Sequence, residues 1–209
     1  MSAKPRPALL VATTNVGKLR EVRALLGDLP LQILSLEDVP GAPSVDEDGA
    51  TYFDNAMRKA LTIARWSQRV TMADDSGIEV DALGGAPGVH SARFAGPQQD
   101  SAANVAKLLR ALEGVPAASR TARFRCVIVV AAPDGAWLSV EGVCEGRILD
   151  TPRGSGGFGY DPVFFYPPAA MSCAELPAAV KNEISHRAVA CRRLHAQLVD
   201  FVAAHTPSS

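Results

Sequence analysis

The strongest constraint on the fold lies between residues 123 and 149. Arg123–Ala132 and Trp137–Leu149 are two long, largely apolar segments, and Pro133-Asp134-Gly135 stands between them. Segments of this kind around a Pro-Asp-Gly turn read as two paired strands. Two long strands adjacent in sequence argue against a sheet built only from alternating β-α-β units, so a mixed sheet is expected. Elsewhere strands and helices intermix. Residues 8–13 read as a buried strand, residues 14–17 as a turn, and a helix runs to about Leu26 with Leu19, Val22, Leu25 and Leu26 on one face. A second strand covers residues 31–36. A helix from about Thr51 to Trp66 buries Phe53, Ala56, Met57, Ala60, Leu61 and Ala64. Residues 70–73 and 78–83 read as short strands around a turn at 74–77. Residues 101–112 form an amphipathic helix, 154–161 a glycine-rich loop, and 184–204 a long closing helix.

Composition narrows the function classes. The 209 residues are 47% hydrophobic and 21% charged, which suits a globular protein with a substantial core. A formal net charge of −1 provides no global basic field, so any anionic ligand must be held by local groups. Cys126, Cys144, Cys173 and Cys191 form no CxxC pair, and they read as reduced thiols suited to the cytoplasm. The apolar run 8–12 is too short for a signal-peptide core, and no stretch reaches the length of a membrane span. The expected extent is a single domain over 1–209 with an ordered core from about 8 to 200, and the tail 205–209 reads as frayed.

Five segments carry residues of chemical interest. Thr13-Thr14-Asn15-Val16-Gly17-Lys18 lies between a strand and a helix start, where free N–H groups attract phosphate and Lys18 adds a full charge. It lacks P-loop spacing, and Thr14 or Asn15 serves equally as an ordinary N-cap. Asp46-Glu47-Asp48-Gly49 precedes Asn55 and Lys59, which share a helix face opposite the apolar stripe; the alternatives are a magnesium ligand and a solvated acidic loop. Asp74-Asp75-Ser76-Gly77 is either a paired carboxylate site for a divalent ion or an Asx-type turn. Gly154–Pro162 combines glycines, which permit close backbone approach, with Phe158 and Tyr160, which can stack on a base; the alternative is a flexible hairpin loop. Lys181, His186 and Arg187 open the last helix, where positive charge opposes the helix dipole. Arginine outnumbers lysine 16 to 5, yet three of the five lysines, Lys18, Lys59 and Lys181, fall in these segments. A compact ammonium that docks phosphate is not freely exchanged for guanidinium.

Taken together, TTNVGK, DEDGATYFDNAMRKA, ADDSGIEVDALGGAPGVHSARFAG, GSGGFGYDPVFF and KNEISHRA resemble the inosine triphosphate pyrophosphatase family, in the order and spacing of its bacterial dITP/XTP pyrophosphatase members. The resemblance runs from about residue 8 to 200. It implies an α/β fold with a mixed, elongated central sheet flanked by helices, two lobes with a cleft between them, a homodimer, and a magnesium requirement of one or more ions per subunit. The implied activity is hydrolysis of ITP, dITP and XTP to the monophosphate and pyrophosphate, with neither nucleic acid nor membrane as partner. By the same resemblance, Asp75 is the catalytic base, and Glu47 and Asp75, with Asp74 beside them, hold the metal. Thr13, Thr14, Asn15, Val16, Gly17 and Lys18 bind phosphates, supported by Asn55 and Lys59. Ser76 contacts substrate, Phe158, Gly159, Tyr160 and Asp161 line the nucleoside site, and Lys181, His186 and Arg187 recognise the base. Rival readings are a pyrophosphatase for other modified nucleotides, a nucleotide sensor without turnover, and a structural dimer module.

Overall fold

In the computed structural model, which describes residues 6–206, the first apolar run forms strand β1 (Ala8–Val11) with Leu9, Leu10 and Val11 buried. Helix α1 (Val16–Leu26) starts where Asn15 turns extended and its side chain accepts the Lys18 N–H at 3.0 Å. That cap satisfies one of the otherwise unpaired N–H groups of the first turn. Strand β2 (Gln32–Ser35) pairs parallel with β1, Leu9 opposite Ile33. Helix α2 (Tyr52–Ser67) opens with a reciprocal capping box between Thr51 and Asp54. Strand β3 (Thr71–Val80) lies parallel to β1 on its other side, Thr71 opposite Leu10. After helix α3 (Ser101–Ala111), capped by Asp100, come β4 (Thr121–Ala131) and β5 (Trp137–Ile148). Their connecting turn is closed by Gly135 N–H donating to Ala132 O. Two short strands, β6 (Phe164–Tyr166) and β7 (Met171–Ser172), continue antiparallel from β5. Helices α4 (Ala178–Ile184) and α5 (His186–His205) complete the described chain.

The seven strands form one sheet in the order β2-β1-β3-β4-β5-β6-β7, parallel at β2-β1-β3 and antiparallel at β5-β6-β7. This is the mixed, open, helix-flanked sheet expected from the two long neighbouring strands. By contact density the chain divides into two compact units: Met1–Asp75 with Val127–Glu141 and Ala190–Ser209, and Ser76–Cys126 with Gly142–Val189. In the first, Leu9, Leu26, Ile63, Met72, Leu194 and Leu198 are among the buried side chains. In the second, Ile78, Leu108, Leu112, Phe124, Val163 and Phe164 anchor the core, with the Phe124 and Phe164 rings 4.3 Å apart. All four cysteines are free and buried, and no helix among the described residues is long and apolar enough to cross a membrane.

The structure corrects three expectations and adds elements the sequence did not announce. Residues 74–77 are not a turn between two strands, because β3 runs unbroken through them. The closing helix expected over 184–204 is α5, and an unanticipated short helix, α4, precedes it, separated by Ser185, whose extended backbone (φ −64°, ψ 154°) ends α4 and whose Oγ accepts the Ala188 N–H of α5. Lys181 therefore sits in the last turn of α4, where a cation is favourable, while His186 and Arg187 do open a helix. Strands β6 and β7 had no counterpart in the sequence reading. Of the tail, His205 belongs to α5 with its ring stacked on Phe201, and Thr206 donates to Val202 O; residues 207–209 lie outside the described residues.

Candidate functional site

Strand β1 lies between β2 and β3, so the chain leaves it toward one neighbour and later occupies the other. Ligands of open α/β sheets sit beyond the carboxyl ends of strands at such a reversal. Thr13–Lys18 occupies that position, and a depression of about 330 Å³ is lined there by Thr13, Thr14, Asn15, Val16, Leu36 and Glu37. Thr13 Oγ1 accepts the Asn15 N–H at 3.1 Å, which shapes the turn. The Val16 side chain is 65% exposed, so only its backbone is suited to a polar ligand.

Around this turn the first unit gathers two lysines, two aspartates, a glutamate and an asparagine. Lys18 Nζ lies 3.0 Å from Asp74 Oδ2. Lys59 Nζ contacts the Glu47 carboxylate and donates to Asp74 O at 3.4 Å. Asn55, expected on the face opposite the apolar stripe, is fully buried instead. Its amide has partners that repay burial: Nδ2 donates to Asp75 Oδ2 at 2.9 Å, and Oδ1 accepts the Gly49 N–H at 2.7 Å. A Cβ at Gly49 would lie 2.7 Å from Asn55 Oδ1 and 2.8 Å from Asp54 Cβ, so this approach requires glycine.

Asp75 is 5% exposed, and burial pushes its carboxyl above the usual aspartate range. The Asn55 hydrogen bond and the charges of Lys18 and Lys59 oppose that shift, and Glu47 adds to it. Glu47 is thus the acid of its loop that faces the cluster, since Asp48 pairs with Arg58 and is 74% exposed. Among the described residues no group of three or more acids, histidines or cysteines forms a ready-made metal cage. Glu47 and Asp75 do present hard oxygen donors, and magnesium is commonly held by one or two carboxylates together with substrate phosphates and water.

The second unit gathers the remaining expected residues. Arg187, 1% exposed, donates from Nη2 to Ser76 Oγ at 3.0 Å. Lys181 Nζ meets Asp161 Oδ2 at 2.5 Å and lies 4.9 Å from the Phe158 ring centroid. His186 stacks on Phe124 at 4.9 Å. Tyr160 does not present a stacking surface: it is 6% exposed, packs in the core and donates its hydroxyl to Ser91 O at 2.8 Å. Gly159 (φ +61°) provides a left-handed backbone, and a Cβ built there would meet nothing within 4 Å. Asp75 and Ser76 are consecutive on β3, so one strand carries a residue of each cluster. Sequence reasoning gave no role to Gly49, Gly157, Ser91 and Ser185, although all four stand in segments that carried the resemblance.

The Ham1 family profile matches residues 9–197. The chain belongs to the Ham1 family. Every residue from Thr13 to Arg187 that carried the resemblance falls inside that Ham1 span. The dITP/XTP pyrophosphatase of Geobacillus kaustophilus (strain HTA426) is 50% identical over 194 residues, covering 93% of this chain and 95% of the relative. That of Desulforamulus reducens is 52% identical over 185 residues, covering 88% and 92%. Among solved structures, a HAM1 protein from Coxiella burnetii aligns with a TM-score of 0.84 at 38% identity, covering 92% of this chain and 98% of that one.

Proposed function

We propose that this chain is a nucleoside triphosphate pyrophosphatase that hydrolyses deaminated purine nucleotides, ITP, dITP and XTP, to the monophosphate and pyrophosphate, with magnesium as cofactor. The observation that carries the reading is the convergence of Lys18, Lys59, Asn55, Glu47 and Asp74 around the buried carboxylate of Asp75. The names of relatives about half identical to the chain supply the substrate class.

The chemistry follows from that arrangement. Phosphoryl displacement is catalysed mainly by positioning and by charge placed where charge develops. Lys18, Lys59 and the N-terminus of α1 neutralise the triphosphate. Asp75 accepts the proton of the attacking water, and a carboxyl whose pKa is raised by burial is the stronger base for that task. Magnesium held by Glu47 and Asp75 would supply Lewis-acid polarisation of the phosphates. Lys181, His186 and Arg187 offer donors toward the base, which reward O6 of hypoxanthine or xanthine and mismatch the amino group of adenine. The resemblance supports a homodimer, and four buried thiols suit a cytoplasmic protein.

The test is pyrophosphate release from ITP, dITP, XTP, GTP, ATP and modified pyrimidine triphosphates, with and without magnesium. Rapid release from the first three alone, dependent on the metal, is expected. Binding without release identifies a sensor and overturns the reading, as does a preference for the pyrimidines.

A further inference from the structure

Helix α2 carries two polar side chains one turn apart, Asn55 and Lys59, and each bridges the same two segments. Lys59 contacts the Glu47 carboxylate in the loop before the helix and donates to Asp74 O of β3 at 3.4 Å. Asn55 accepts the Gly49 N–H of that loop at 2.7 Å and donates to Asp75 Oδ2 of β3 at 2.9 Å. The two rungs differ in kind. Lys59 carries a charge that attracts phosphate. Asn55 is neutral and 0% exposed, with one end of its amide on each segment, so it offers no surface to a bound phosphate. Asn55 sits in the first turn of α2, and helical side chains tilt toward the helix N-terminus, which sends it back past the Thr51 cap to Gly49. A primary amide alone presents an acceptor to the Gly49 N–H and a donor to the carboxylate; an acid here would set oxygen against Asp75 Oδ2.

We propose that Asn55 is a positioning residue for the hydrolysis: it fastens the loop that carries Glu47 to the strand that carries Asp75, and so fixes the separation and aim of the two carboxylates. This rests on the nucleotide reading above and deepens it. The resemblance implies that Asn55 supports the binding of phosphates, whereas its burial and its two partners make it a support of the acids. The bridge acts through groups that touch metal and water while remaining out of reach of both, and Gly49, with no room for a Cβ beside Asn55 Oδ1, is its matching surface.

The experiment compares full-length wild type, Asn55→Ala, Asn55→Asp, Asp75→Asn and the double variant Asn55→Ala with Asp75→Asn, by hydrogen–deuterium exchange and by pyrophosphate release from ITP. Exchange in the peptide carrying Gly49 should rise in Asn55→Ala. Asn55→Asp keeps an oxygen for the Gly49 N–H and should exchange less than Asn55→Ala. In kinetics, Asn55→Ala should lower kcat by roughly 10- to 100-fold, the scale of a reacting group displaced by about 1 Å. KM for ITP should stay within about twofold, since an interaction felt only in the transition state leaves it unchanged. The magnesium concentration giving half the maximal rate should rise by roughly tenfold, the scale on which partners of metal ligands act. A smaller folded fraction lowers kcat without moving that concentration. In the Asp75→Asn background, Asn55→Ala should cost less than about threefold, because the carboxylate that it aims is gone. Asn55→Asp keeps the shape but opposes Asp75 Oδ2; it should lose kcat as well, and it carries the test if Asn55→Ala does not fold. A raised KM at unchanged kcat makes Asn55 a phosphate ligand and overturns the proposal, as do unchanged exchange, wild-type kcat in Asn55→Asp, or fully multiplicative losses in the double variant. Wild-type protein that releases no pyrophosphate from ITP sinks the nucleotide reading instead, and the exchange arm still reports on the bridge.

Discussion

Replacing Asp75 by asparagine removes one charge at constant shape. The wild-type carboxylate is 5% exposed, and burial is the largest influence on it, holding its folded pKa above the ordinary aspartate value of 3.8. A folded pKa above the unfolded one means that the native state binds the proton more readily. The contribution of Asp75 to stability is then fully present below 3.8 and is lost as pH rises through the folded value. Near neutrality the ionised side chain therefore weakens the fold. Asparagine keeps an oxygen to accept from Asn55 Nδ2 and bears no charge; against that, Lys18 and Lys59 lose an anion. The expected net gain is on the order of 1 kcal/mol at neutral pH, the scale on which functional groups trade stability for activity. Urea denaturation of the metal-free proteins from about pH 8 to about pH 4 measures it, and the gain should shrink as the wild-type acid protonates. Pyrophosphate release by the same variant should fall by at least about 100-fold. A variant less stable than wild type at neutral pH, or a gain independent of pH, refutes the claim that burial dominates at Asp75. Near-normal turnover removes it from the mechanism.

Two further outcomes are expected. A Cβ at Gly146 would lie 2.5 Å from Phe164 Cζ and 2.5 Å from Phe165 O, so Gly146→Ala must push β5 and β6 apart, with a loss of at least about 2 kcal/mol in urea titration; a loss below about 0.5 kcal/mol shows that the strands yield easily. All four cysteines are buried, and the Cys144 thiol is pushed up to about 11, by burial first and then by the charges of Glu145 and Asp161. Iodoacetamide at mildly alkaline pH should therefore label none of them in the folded protein and all of them in denaturant, and rapid labelling of native Cys144 contradicts its placement.

Much of the fold was legible because its signals are local. The apolar run at Leu9–Val11, the Asn15 cap and the two long strands around Pro133-Asp134-Gly135 announce themselves within a few residues. The failures share a cause: a distant partner decided the local structure. Asp74, Asp75, Ser76 and Gly77 are poor strand formers, and they lie within β3, where Lys18 and Asn55 engage the two acids. Asn55 looked solvent-facing because it is polar, whereas its burial depends on a carboxylate twenty positions away. Strands β6 and β7 are three and two residues long and flank Pro167-Pro168, too short for periodicity to register. The site segments were legible as candidates, but composition and spacing did not choose Glu47 over Asp48; only the resemblance named Glu47. That choice follows from Lys59 and Arg58, which as neighbours on α2 project in different directions and each claim one acid.

Successive side chains of an extended strand point to opposite faces. Asp74 and Asp75 are chemically identical, so the jobs of meeting Lys18 and meeting Asn55 are assigned by parity alone. Slipping β3 by a single residue against β1 would put one acid in the other's place and bring Ala73 or Ser76 into the place left behind, without altering the amino-acid content at all. Short insertions or deletions ahead of Asp74 should therefore be far less tolerated through evolution than substitutions at the same places, and a designer grafting this motif must preserve alignment before identity.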